Sequence, residues 1–228
     1  MTKAEKLKWT ILRLAIFSNG GSYAYVLLTN GMELPIYADL LVAQLLILLP
    51  AWGYTKKEHI NLYKEIRHRR LHFGALLCLV GITLLSMPLL SFLNLFSSLF
   101  VPNAAAGLAE QMTGGPGWMN ILFLAVIPAF SEEFVFRGVF FHWKAALMSG
   151  LIFGLMHLNF NQFSYGFVLG VIFAAVVEAS GSIYASMAIH FLINFQSAQA
   201  INALTSLTAS GVEEEGMLEI SGAFKQTY

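Results

Sequence analysis

The feature that most constrains this chain is a series of apolar runs, each close to the length that crosses a bilayer. A spanning helix needs about 20 mostly apolar residues, fewer where neighbouring helices shelter it. Helices are favoured there because every backbone polar group must be bonded internally. Such runs fall at about 9–29, 35–54, 73–96, 118–141, 145–160, 163–179 and 182–205. Only 11% of the 228 residues are charged and 57% are apolar, whereas a soluble domain carries roughly a quarter charged residues. The reading is an all-α, polytopic transmembrane helix bundle of about seven spans. It is a single transmembrane domain, 1–228: 1–116 holds the first spans and a surface helix, 117–205 a second group of helices, and 206–228 a polar, acidic tail.

The charges that remain are clustered. Lys3, Lys6, Lys8 and Arg13 open the chain, and Lys56, Lys57, Lys64, Arg67, Arg69 and Arg70 lie in "KKEHINLYKEIRHRR". These are ten of the 13 Lys and Arg. The positive-inside rule puts both blocks on the cytoplasmic face, with one two-span hairpin between them. The expected location is therefore the cell membrane, multi-pass, with the N-terminus cytoplasmic. Residues 55–72 are expected to form a basic helix on the membrane surface, with Ile60, Tyr63 and Ile66 on one side. Residues 97–116 contain Pro and Gly breakers and read as a surface or re-entrant connection. The basic start and "SYA" also fit a cleaved signal peptide, but Arg13 interrupts a short apolar core and favours a retained anchor. Cys78 is the one cysteine, so no disulfide forms within the chain. Formal net charge is zero and no nucleic-acid partner is expected. Oligomeric state is not legible.

Against this background, "SEEFVFRGVF" at 131–140 stands out. Ionisable groups at membrane depth cost about 2.5–3.5 kcal/mol each on insertion scales, so they need partners or a task. Glu133 and Arg137 are four apart, the favoured order and spacing for a helical ion pair. Glu132 points about 100° away from Glu133 and needs another partner. Downstream, "FGLMH" puts Phe153 and His157 on one helix face, and "HFLIN" does the same for His190 and Asn194. Counted from a turn near His142 to Lys144, Glu132 and His157 both lie roughly 18–20 Å along their helices. His190 lies roughly 13 Å beyond the next turn, near "EASGS". Glu132, His157, His190 and Asn194 are thus expected in one buried layer.

Each feature taken singly has a plainer explanation. A Glu–Arg pair can simply lock two helices, a single histidine can be a bonded packing residue, and Phe153 reads as packing. His59, His68 and His72 border the basic helix, and Glu178 fits a solvated turn. A carboxylate, two histidines and an amide at one depth, however, make a hydrolytic or metal site. "HExxH" is absent, so the common zinc-protease motif does not apply.

The ordered set "EEFVFR", "FGLMH" and "HFLIN" resembles the CPBP family, the CAAX-protease and bacteriocin-processing membrane proteins. The resemblance spans about 117–200 and implies that 117–205 holds the catalytic helices of an intramembrane endopeptidase. It implies Glu132 as catalytic base, Glu133 and Arg137 completing the first motif, His157 the second, and His190 with Asn194 the third. Peptide hydrolysis needs an activated water and stabilisation of an oxyanion. His157 would orient the water, and His190 and Asn194 would donate to the oxyanion. The other chemistry is metal-assisted, with His157, His190 and Glu132 as ligands of zinc. Cofactors are thus none or Zn, with the glutamate-activated water preferred because no short-spaced ligand pair is present. The expected partners are the lipid bilayer and a membrane-associated peptide or protein, entering sideways between helices. A non-proteolytic immunity or binding protein is the rival, and an ion carrier a third. A carrier would favour paired broken helices in matching halves, which the chain lacks.

Overall fold

The computed structural model describes residues 35–57, 69–139, 146–157 and 159–210, together with 25, 28, 29, 59 and 61. Among these residues there is no β-strand, and the helices are α1 (Ile36–Lys57), α2 (Phe73–Ser98), α3 (Ala104–Met112), α4 (Gly117–Gly138), α5 (Ala146–Leu155), α6 (Phe160–Ser180) and α7 (Ile183–Ala209). By length and composition α1, α2, α4 and α6 can each cross a membrane. α7 is longer but carries His190, Asn194 and Asn202 along it. The expected all-α transmembrane bundle is what the chain forms. Most of the first expected span, the turn near His142 to Lys144 and most of the acidic tail lie outside the described residues.

Helix ends follow local chemistry. His72, Asn103 and Asn159 each accept a backbone N–H of the first turn of α2, α3 and α6, at 3.1, 3.2 and 2.7 Å. Gly181 adopts φ 67°, the left-handed conformation that suits glycine, and stops α6.

Two connections differ from expectation. In the 55–72 stretch, residues 55–57 continue α1, and 69–72 are not helical, Arg69 N–H donating instead to the Gly181 carbonyl at 3.3 Å. Most of that expected helix lies outside the described residues. The 97–116 connection contains α3, whose Ala109 and Met112 are buried against Ile201 and partly buried Tyr37 and Leu124. The surface or re-entrant connection expected there thus includes a packed helix, because Ala and Leu at helical spacing outweigh the flanking breakers.

α5 and α6 meet through glycines. A Cβ on Gly170 would lie 2.6 Å from Gly150 Cα, and one on Gly166 would lie 3.5 Å from Gly154 Cα. "GLIFG" and "GFVLG" are thus paired small-residue faces, the standard route to close approach in lipid, where dispersion rather than water expulsion drives packing. The main core gathers Phe136, Phe153, Phe173 and Ile189 from α4 to α7. α2 turns Leu77, Leu84, Leu85 and Phe92 outward, as a lipid-facing helix should.

Candidate active site

α4 is a helix with two π-helical segments, Leu122–Val126 and Phe134–Val139, flanking Ile127–Glu133. Pro128 has no N–H to give the Leu124 carbonyl four residues back. Asn194 Nδ2 on α7 donates to that carbonyl at 2.9 Å. This bond fastens α7 to α4 beside the carboxylates and leaves a second amide hydrogen on Asn194.

The acidic pair divides by environment. Glu133 and Arg137 have no exposed side-chain surface, and Arg137 Nη1 donates to Glu133 Oε1 at 2.8 Å. Arg137 Nη2 donates to the Gly170 carbonyl at 2.9 Å, across the glycine contact. The guanidinium carbon lies 4.7 Å from the Phe153 ring centre and 5.1 Å from that of Phe173, within the range of cation–π attraction. Glu132 is only partly buried and receives a hydrogen bond at 3.0 Å from Gln44 Nε2 of α1.

His190 joins the two glutamates. Its Nδ1 is 3.0 Å from Glu133 Oε1, and its Nε2 is 3.9 Å from Glu132 Oε2. An ionised carboxylate only accepts, so Nδ1 carries its proton toward Glu133, and a lone pair at Nε2 is available whenever the ring is neutral. Phe173 stacks on the ring at 5.0 Å and fixes its plane. His157 lies in the turn after α5, with Nδ1 held by the Phe153 carbonyl at 2.9 Å. The Phe153 ring stands edge-on to both histidines, at 5.1 and 5.9 Å.

Glu132, His157, His190 and Asn194 all line one cavity of about 450 Å³. Glu133 and Arg137 lie behind its wall. The four residues expected in one layer therefore do share a space, and the ion pair supports them from outside it. Among the described residues no three His, Cys, Asp or Glu side chains form a group that would hold a metal ion.

Residues 114–196 match the family described as Rce1-like, type II CAAX prenyl endopeptidase. That similarity is consistent with the CPBP resemblance of the three motifs. No curated protein and no solved structure matches the chain.

The matched segment contains all three motifs, but the site extends beyond it. Gln44 comes from α1, and Met87 and Leu90 of α2 and Leu108 of α3 line the cavity. Gln44 had a signal, a lone amide within "LLVAQLLILLP". Phe173 had none, since one Phe among many apolar residues is silent until its ring is placed.

Proposed function

We propose that the chain is an intramembrane endopeptidase of CAAX-protease type, in which Glu132 activates water to cleave membrane-associated peptides. The observation that carries this reading is the 3.9 Å gap between Glu132 Oε2 and His190 Nε2 at the cavity wall. Both atoms accept hydrogen bonds. A water about 2.8 Å from each would donate one hydrogen to each and subtend roughly 90°, with its lone pairs turned to the cavity. A water so held would turn its oxygen toward a carbonyl bound in the cavity.

Glu132 then takes the proton as the water adds to the scissile carbonyl, and delivers it to the leaving nitrogen. Asn194 offers its second amide hydrogen to the oxyanion. His190, expected as an oxyanion donor, is better placed to hold the water, since it is the histidine beside Glu132. His157 completes the polar wall, its Nε2 left available while Nδ1 bonds Phe153. Glu133–Arg137 holds His190 in its tautomer. The substrate's apolar part fits beside Leu40, Leu90 and Ile193, which line the same cavity.

The orientation proposed has the N-terminus cytoplasmic. The reading is tested by incubating protein in bilayers with membrane-associated peptides, prenylated and not, with and without Glu132→Gln. Cleavage that depends on Glu132 supports it; binding without cleavage in the wild type moves the function to the immunity or binding class.

A further inference from the structure

Gln44 belongs to a helix outside the matched residues, yet its amide is engaged at both ends on α4. Nε2 donates to Glu132 Oε1 at 3.0 Å, and Oε1 accepts from the Ser131 hydroxyl. The ends cannot be exchanged. A carboxylate offers only lone pairs, so the amide nitrogen must face Glu132 and the oxygen must face the hydroxyl. Ser131 Oγ also reaches the Ile127 carbonyl of its own helix at 2.7 Å, so its hydrogen lies between two acceptors and the hydroxyl is anchored to α4. An amide in an apolar span costs free energy unless it is bonded. Here one side chain meets that requirement by bridging two neighbouring residues of the site.

The bridge has a consequence for Glu132. A glutamate carboxylate turns about its last torsion in a broad, roughly two-fold well. Once Oε1 is bonded to Gln44, Oε2 is the oxygen left facing His190 Nε2 across 3.9 Å. The same bond keeps Oε1 from competing for the water. Gln44 therefore selects both the oxygen that takes the proton and the direction in which it is presented.

We infer that Gln44 is a positioning residue for catalysis by Glu132, acting through the carboxylate rather than on the substrate; the inference rests on the peptidase reading above. Gln44→Met keeps the side-chain length and removes both hydrogen bonds. In that variant kcat falls about 10- to 100-fold, the order expected for a lost hydrogen bond to a charged group. KM stays within about twofold, because Met fills a similar volume of the cavity wall. The melting temperature in detergent moves by no more than about 3 °C. Ser131→Ala frees one end of the amide and lowers kcat about 3- to 10-fold. Added to Gln44→Met it brings no further loss, because Ser131 acts through Gln44. A helix-packing role alone would instead lower melting temperature and active fraction together, leaving turnover per active molecule intact.

An unchanged kcat in Gln44→Met, or additive losses in the double variant, overturns the inference while Glu132-dependent cleavage by the wild type keeps the peptidase reading. Wild-type cleavage indifferent to Glu132→Gln overturns the peptidase reading, and the positioning role with it. Should Gln44→Met fold poorly, Ser131→Ala decides: a lower kcat at unchanged KM and melting temperature supports the role, and an unchanged kcat overturns it.

Discussion

His190 is held at Nδ1 by Glu133 Oε1 at 3.0 Å, on the same oxygen that takes Arg137 Nη1 at 2.8 Å. One buried carboxylate oxygen thus balances a guanidinium and sets a histidine tautomer. The pair fastens α4 to itself and α7 to α4, and it leaves the Nε2 side of His190 facing Glu132.

Glu132→Gln keeps the shape of the side chain but removes the proposed base. Hydrolysis should be lost while expression and melting temperature hold, since Glu132 is partly exposed and not ion-paired to Arg137. Activity assays with thorough chelation complete the test. With a glutamate-activated water, chelation leaves cleavage unchanged. Zinc co-purifying near one per chain, lost in His157→Ala and His190→Ala and restoring activity on return, would assign the chemistry to metal instead.

Arg137→Ala should damage folding as well as activity. It leaves Glu133 buried without its cation and empties a space between Phe153 and Phe173. Breaking a buried pair from one side costs about 3–5 kcal/mol. Arg137→Lys should recover only part of this, because one ammonium cannot repeat the planar fork to Glu133 and the Gly170 carbonyl. Thermal unfolding in detergent reads both, and normal stability of the alanine variant would show that the pair is solvated.

Gly170→Ala should destabilise the bundle by about 1–3 kcal/mol, the usual cost of overpacking. Its Cβ would meet Gly150 Cα at 2.6 Å, so α5 and α6 must separate, moving the carbonyl that receives Arg137. Gly81→Ala on α2 is the contrast: nothing lies within 4 Å of the added methyl. There helix propensity should make the change neutral or stabilising by up to about 1 kcal/mol. Equal effects at the two sites would remove the close-packing argument.

Cysteine labelling tests the orientation. With Cys78 replaced by Ser, single cysteines at Lys3 and Lys64 should react from the same, cytoplasmic side, as the clustering of basic residues requires. Labelling from opposite sides would remove the hairpin between the two basic blocks.

Much of the site was legible because intramembrane polarity is expensive. Glu132, His157, His190 and Asn194 stand out in apolar runs, and counting 1.5 Å per residue from the turns put them near one depth. The ion pair was legible from its spacing alone. Which histidine lies beside Glu132 was not, because depth along a helix does not reveal which ring turns toward it. The paired "GLIFG" and "GFVLG" were readable in principle, but a glycine face has meaning only with a facing glycine. α3 was concealed by the Pro and Gly breakers on either side of it.

Helicity, the spans and the depth of the polar residues follow from the sequence by itself, since bilayer thickness and backbone hydrogen bonding act on each segment locally. Which side chains touch was decided only by the tertiary structure. The glycine contact brings the Gly170 carbonyl to Arg137. Pro128 leaves a carbonyl that Asn194 of another helix must reach. An isolated amide in α1 finds its two partners on α4. These are directional bonds between distant segments, and their geometry exists only once the helices have packed.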